Sequence, residues 1–186
     1  MARREELADA AIATLAREGM RGLTHRAVDR EAGLPEGSAS YYFRTRQALL
    51  QAVVERLAEL DAAELPVLPA ESLDAFAQAT AEVVEIWVTT GRQRHLARYE
   101  LALEATRRPE LRTALVASGA AIRAMVAERF AALGISDARR RAADFAAFLD
   151  GLLFDAIAGA GNRELTGPGL RATIRALLIA VSSPDS

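Results

Sequence analysis

Histidines and paired carboxylates are the side chains of this sequence that could carry catalytic chemistry, and their spacing argues against it. The chain has two histidines and no cysteine. His25 and His95 stand apart, and neither has a second metal-type ligand at useful spacing, so no metal site is expected. His25 reads as a surface residue in the first turn of a helix, and His95 as an exposed or ordinary core residue, with a pocket residue as the other reading. Glu55/Glu59, Glu82/Glu85 and Glu100/Glu104 each fall on one helical face, and with no nucleophile beside them they read as solvated faces. Gly-x-Ser-x-Gly is missing. The Gly-x-Gly at Gly159 follows a helix and has Glu164 where a phosphate loop needs glycine. The sequence therefore predicts no enzyme and no cofactor.

What remains is a stretch whose hydroxyls suit recognition, LTHRAVDREAGLPEGSASYYFRTR from Leu23 to Arg46. Thr24 is a natural N-cap for a helix from His25 to Ala32, and Gly33 ends it in the left-handed conformation. Pro35-Glu36-Gly37 turns the chain into a further short helix over about residues 36–43. Ala39 and Phe43, four apart, face inward; Gly37, Ser38, Ser40, Tyr41 and Tyr42 are left outside. A capped helix, a glycine turn and a short helix exposing Ser and Tyr hydroxyls suit contacts to double-stranded DNA, phosphates setting register and base edges giving specificity.

Charge does not mark this stretch. Net charge is -2 and the pI about 5.8, and residues 17–46 hold six Arg against four acids. All 23 basic residues are arginine, which fits a coding bias better than a chemical demand. The case for DNA rests on local geometry.

The elements around it are helical throughout, with no period-2 strand pattern. A first helix over residues 4–18 presents Leu7, Ala11, Ile12 and Leu15, and Gly19 stops it. Arg3 and Arg4 lie at its positive end, where a solvated tail and a phosphate contact both account for them. Thr45 caps a fourth helix from Arg46 to about Asp61, with Leu49, Leu50, Val53, Val54, Leu57 and Leu60 inward. The prolines of Leu65-Pro66-Val67-Leu68-Pro69 break the chain. Helices follow over about 72–90, 92–107, 109–133, 137–160 and 168–182, with Ser136 as a cap of the penultimate one. The expected class is all-α with about nine helices, a three-helix unit over residues 1–45 and a helical body over 46–186.

The last two helices carry broad apolar stripes. Phe145, Leu149, Leu153 and Ile157 on one, and Leu170, Ile174, Leu177, Leu178 and Val181 on the other, can bury within one chain or form a four-helix interface between two copies, the arrangement expected here. Phe76, Trp87, His95, Tyr99, Leu103, Met125, Phe148 and Leu152, bulky and near polar neighbours, are candidates to line a small-molecule pocket. MARREELADA lacks the apolar core of a signal peptide, and no long uncharged run suggests a membrane span. A cytoplasmic, membrane-free protein is expected.

At Leu23 to Arg46 the sequence resembles the TetR family of bacterial transcriptional repressors. The resemblance is carried by Gly22-Leu23-Thr24, Ala32-Gly33-Leu34-Pro35, Gly37-Ser38, Tyr41-Tyr42-Phe43 and Thr45-Arg46-Gln47-Ala48-Leu49-Leu50. It implies an N-terminal helix-turn-helix DNA-binding domain and a C-terminal ligand-binding and dimerisation domain. It also implies a homodimer on an inverted-repeat operator, released by an unidentified small-molecule effector. Thr24 and His25 would sit at a phosphate, Pro35, Gly37, Ser38, Ser40 and Tyr41 on the base-facing surface, and Tyr42 and Arg46 on the backbone. Ser40, Tyr42, Arg46 and Pro35 depart from the residues common there, and Pro35 takes a position often held by a capping serine. The alternative is a helical dimerisation or interaction protein without an inducer.

Overall fold

The computed structural model describes residues 2–64, 69, 71–161 and 164–183. Among these the chain forms α1 (Ala2–Gly22), α2 (His25–Glu31), α3 (Ser38–Tyr42), α4 (Arg46–Glu64), α5 (Leu73–Val88), α6 (Arg92–Ala105), α7 (Pro109–Ala132), α8 (Ala138–Ile157) and α9 (Gly167–Ser182). The helices fall into two compact units, residues 1–61 with 91–118, and residues 62–90 with 119–186. The expected division at Arg46 differs from this one, because α4 gives most of its length to the first unit and α6 packs on α1. Of the proline break, only Pro69 lies within the described residues.

The first unit is organised by the apolar face of α1. Leu7, Ala11, Ile12 and Leu15 are buried with Leu23, Val28, Ala39, Phe43, Leu49, Leu50, Val53 and Leu57, and α6 adds Ala97 and Leu101. Gly19 interrupts α1 at φ 67°, a conformation open to glycine, and the last turn continues to Gly22. Thr24 caps α2, its Oγ1 accepting from Ala27 N at 3.1 Å, and Thr45 does the same for α4 through Ala48 N at 3.1 Å. The third helix is shorter than expected. Gly37 stands at φ 96°, so the helix begins only at Ser38 and runs five residues.

The start of so short a helix is held from outside. Asp29, buried on α2, accepts from Gly37 N at 2.8 Å and Ala39 N at 2.6 Å. The carboxylate supplies the caps that Pro35 cannot. Farther along α6, buried His95 packs edge-on against Tyr99 with ring centroids 6.5 Å apart. Burial and the Arg98 guanidinium lower the His95 pKa to about 4, the carbonyl of Gly91 opposing them. Arg98 itself is anchored on buried Asp61 at 2.7 Å.

The second unit centres on Phe76 of α5, Phe130 of α7 and Phe145 of α8, whose centroids lie 5.6 to 6.0 Å apart. α9 packs on α5 and α8, and buried Arg141 of α8 donates to the carbonyls of Val181 and Ser183 at its C-terminal end. Ser136 does not cap α8; that position falls to Asp137 at φ 49°.

The residues expected at an interface between copies divide by their burial within one chain. Phe145, Leu153, Ile157, Leu170, Ile174, Leu178 and Val181 are buried within a single chain, and Leu149 and Leu177 are half-buried. They are core. α8 is apolar on two sides, and its outward side carries Phe148 and Phe154, with Ile179 outward on α9.

Two measurements follow. Asp29→Ala leaves two inward amide donors without their charged acceptor, and unfolding in urea is expected to show a loss of about 3 kcal/mol. For His95, an imidazole with pKa 6.5 when unfolded and about 4 when folded is neutral in both states at pH 7. As pH falls through that window only the unfolded chain takes up the proton. Stability from this group is complete above pH 6.5, is lost toward pH 4, and amounts to about 3 kcal/mol. His95→Asn should flatten the pH dependence of urea unfolding across that range; an unchanged slope would refute the assignment.

Candidate nucleic-acid interface

The third helix is a presentation device. Its inward residues, Ala39 and Phe43, are anchored in the core, and Phe43 stacks beneath the Arg4 guanidinium at 5.7 Å. Its outward residues are Ser40, Tyr41 and Tyr42, with Tyr41 78% and Tyr42 43% exposed. The two tyrosine rings meet edge to face at 5.1 Å, which limits how far either swings. Two large aromatic hydroxyl groups facing solvent on a five-residue helix find no explanation in the core they leave.

Both ends of this helix are tied to α2. At its start stands Asp29, and the Ser38 hydroxyl donates to the Pro35 carbonyl at 2.7 Å. At its end, His25 Nε2 lies 2.6 Å from the Phe43 carbonyl; a carbonyl only accepts, so the ring carries its proton on Nε2. His25 thus joins the first residue of α2 to the residue that ends α3. Arg3, Leu34, Pro35, Ser38, Tyr41 and Tyr42 line a shallow groove of about 360 Å³ along the outer side.

The cations are mostly engaged by carboxylates of the same unit. Arg3 pairs with Glu6 at 2.8 Å, Arg17 with Glu31 at 2.7 Å, Arg26 with Glu36 at 3.1 Å and Arg30 with Glu18 at 3.4 Å. Arg46, placed at a phosphate by the resemblance, is half-buried with its guanidinium donating to the Met20 and Leu23 carbonyls. It ties the end of α1 to the start of α4. Among the described residues Arg44, two positions earlier, is exposed and has no acidic partner. Nothing in the apolar pattern singled out Arg44, Asp29 or the Arg26–Glu36 pair. Asp29 was open to discovery by asking which acceptor replaces the missing capping serine at Pro35.

Of the carboxylate pairs, Glu55/Glu59 and Glu82/Glu85 are exposed and Glu100/Glu104 is half-buried. Glu55 meets Arg4 and Glu59 meets Arg56; Glu100 accepts from Met20 N at 3.1 Å, and Glu104 meets Arg108. No group of three metal-type ligands occurs among the described residues, and none of their helices is long and apolar enough to cross a membrane.

The residues named for a small-molecule pocket divide between the units. His95, Tyr99 and Leu103 belong to the first; Phe76, Trp87, Met125, Phe148 and Leu152 belong to the second. Phe76 is sealed in the aromatic core. Leu103 and Phe148 are exposed, so neither lines an enclosed cavity within a single chain. Trp87 is half-buried, its Nε1 donating to Glu64 at 2.8 Å.

Residues 7–53 match the family model described as bacterial regulatory proteins, TetR family, and residues 71–182 match that of the tetracyclin repressor-like C-terminal domain. A member of TetR family from Streptomyces coelicolor A3 is 28% identical, with 99% of this chain and 100% of that one covered and a TM-score of 0.77. The multidrug binding protein EbrR, complexed with ethidium, is 28% identical over 98% of this chain and 99% of its own, with a TM-score of 0.74. A transcriptional regulator from Rhodococcus sp. Rha1 shares the fold at a TM-score of 0.81 and 22% identity, over 96% of this chain and 95% of that one. No curated protein matches the chain. With a helix-turn-helix in the first unit and the C-terminal model spanning most of the rest, the chain belongs to the TetR family of bacterial transcriptional regulators.

Proposed function

We propose that the protein is a cytoplasmic, homodimeric repressor that holds an inverted-repeat operator and releases it when a small aromatic molecule binds the C-terminal region. The observation that carries the DNA part is the outward pair Tyr41 and Tyr42 on a helix held at both ends by Asp29 and His25. Ser40, Tyr41, Pro35 and Gly37 face bases in this reading, and Thr24, Ser38 and Tyr42 help to fix register. Arg44 takes the phosphate contact, since the guanidinium of Arg46 is held by backbone carbonyls. The protein acts by binding; turnover has no part in it.

For the dimer, the outward face of α8 and α9 is the supporting observation. Phe148, Phe154 and Ile179 are exposed there beside the small residues Ala147, Gly151, Ala172, Ala176 and Ala180. Small residues let helices approach closely while the large ones fill the space between, and an apolar face of this kind marks an interaction surface. A two-fold axis through it would pair the same face of both copies.

For the effector, the support comes from a relative. EbrR, 28% identical to this chain, has structures complexed with ethidium, proflavin and malachite green. In this chain Trp87 hydrogen-bonded to Glu64 supplies an aromatic face beside a carboxylate, a combination suited to a planar organic cation.

Footprinting of DNA upstream of the protein's own gene tests the central claim. Protection of an inverted repeat is expected, and uniform protection at every salt concentration would overturn the reading. Arg44→Ala should weaken binding to all sequences alike and reduce the slope of log K against log[salt] by about 0.9 per protomer. Phe148→Glu should leave a folded monomer in sedimentation; a persisting dimer would place the interface elsewhere.

A further inference from the structure

Glu36 is a carboxylate on the surface assigned above to DNA, and it needs an account. It lies between Pro35 and Gly37, immediately before α3, and pairs with Arg26 of α2 at 3.1 Å. The side chains are 79% exposed for Arg26 and 73% for Glu36. Exposed pairs of this kind contribute little to stability. Against a phosphate backbone the carboxylate would be repelled. The favourable partners DNA offers it are the base amino groups at the floor of the major groove, cytosine N4–H and adenine N6–H.

Its position is fixed better than its exposure suggests. Gly37 N is held by Asp29 at 2.8 Å, and the Pro35 carbonyl accepts from both Ser38 N and Ser38 Oγ. The backbone on either side of Glu36 is therefore restrained. Pro35 also lines the groove shared with Ser38 and Tyr41, which puts Glu36 at the edge of the reading surface. Only one oxygen of Glu36 and one terminal nitrogen of Arg26 are engaged in the pair.

The geometry points to Arg26 and Glu36 reading a single G·C base pair together, a specificity determinant that rests on the DNA-binding reading above. Along the major-groove edge of G·C, guanine presents acceptors at N7 and O6, and cytosine presents its N4–H donor beside them. O6 and N4 are themselves joined by a hydrogen bond of about 2.9 Å. The protein offers a donor fork beside an acceptor at 3.1 Å, so donor meets acceptor and acceptor meets donor at nearly the same spacing. Reversal to C·G, or replacement by A·T, sets like against like at both places. T·A keeps the order of acceptor and donor but loses N7 beneath the arginine and puts a methyl group there. The expected order is G·C first, T·A second, and A·T and C·G last.

Selection of binding sites from random duplexes with the purified full-length protein tests this. The wild type should yield one G·C column in each half-site with T·A as its next choice. Arg26→Ala and Glu36→Ala should each lower that preference by about tenfold while the other columns stand and the urea midpoint holds. The double variant Arg26→Glu with Glu36→Arg restores the ion pair but reverses donor and acceptor, so the column should change to C·G or A·T. If the pair served only to brace the turn, the swapped protein would keep G·C, and that result overturns the inference, as does an unchanged column in both single variants. A wild type that selects no half-site at all would remove the DNA-binding reading itself, and this inference with it.

Discussion

A helix of five residues does not hold its shape in water by its own hydrogen bonds, because nucleation costs more than so few bonds return. The exposed Ser40, Tyr41 and Tyr42 surface of this protein therefore depends on a carboxylate outside that helix. Asp29 comes from α2 and takes the amide hydrogens of Gly37 and Ala39, the two positions where the backbone enters α3. An ionised acceptor makes stronger bonds than a neutral one, and burial makes each of them costly to break. His25 closes the other end on the Phe43 carbonyl. Because both anchors sit on α2, the two helices behave as one piece, and the orientation of Tyr41 follows from the packing of α2 on α1.

The same economy governs charge. Much of the arginine in the first unit is neutralised within it: α1 to α2 through Arg17 and Glu31, and α1 to α4 through Asp9 and Arg56. Arg46 contributes in another way, by holding the carbonyls of Met20 and Leu23. A unit braced in this manner has little unpaired positive charge to attract DNA of any sequence. Non-specific attraction depends on cations free to replace counterions. The scarcity of free cations is consistent with a chain whose net charge is -2.

Much of the fold was legible because helices announce themselves by period and punctuation. Leu7, Ala11, Ile12 and Leu15 on one face, Gly33 at the stop, and Thr24 and Thr45 as caps all behave as local rules require, and Gly19 kinks α1 one turn before its end. The parts that were not legible depend on contacts distant in sequence. Nothing near Gly37 in sequence says that a carboxylate eight residues earlier will cap it, so α3 was read as starting two residues too early. Nothing near Arg46 says that its guanidinium will turn to Met20 and Leu23, more than twenty residues back. Long polar side chains choose partners in three dimensions, and periodicity carries no information about that choice.

The last two helices show a different limit. An apolar stripe says that a surface must be covered and leaves open whether the cover is the same chain or another. In α8 the largest residues at core spacing, Phe145, Leu153 and Ile157, are covered by the chain's own helices. Phe148, one turn from Phe145 and apolar like it, remains 52% exposed. What separates them is the rest of each face. Phe148 shares its side with Ala147 and Gly151, and α9 opposes alanines at 172, 176 and 180, all exposed. A core built on such small residues would leave voids in a single chain. Side-chain size along each face thus separates the side the chain covers from the side it leaves exposed, where hydrophobicity alone does not.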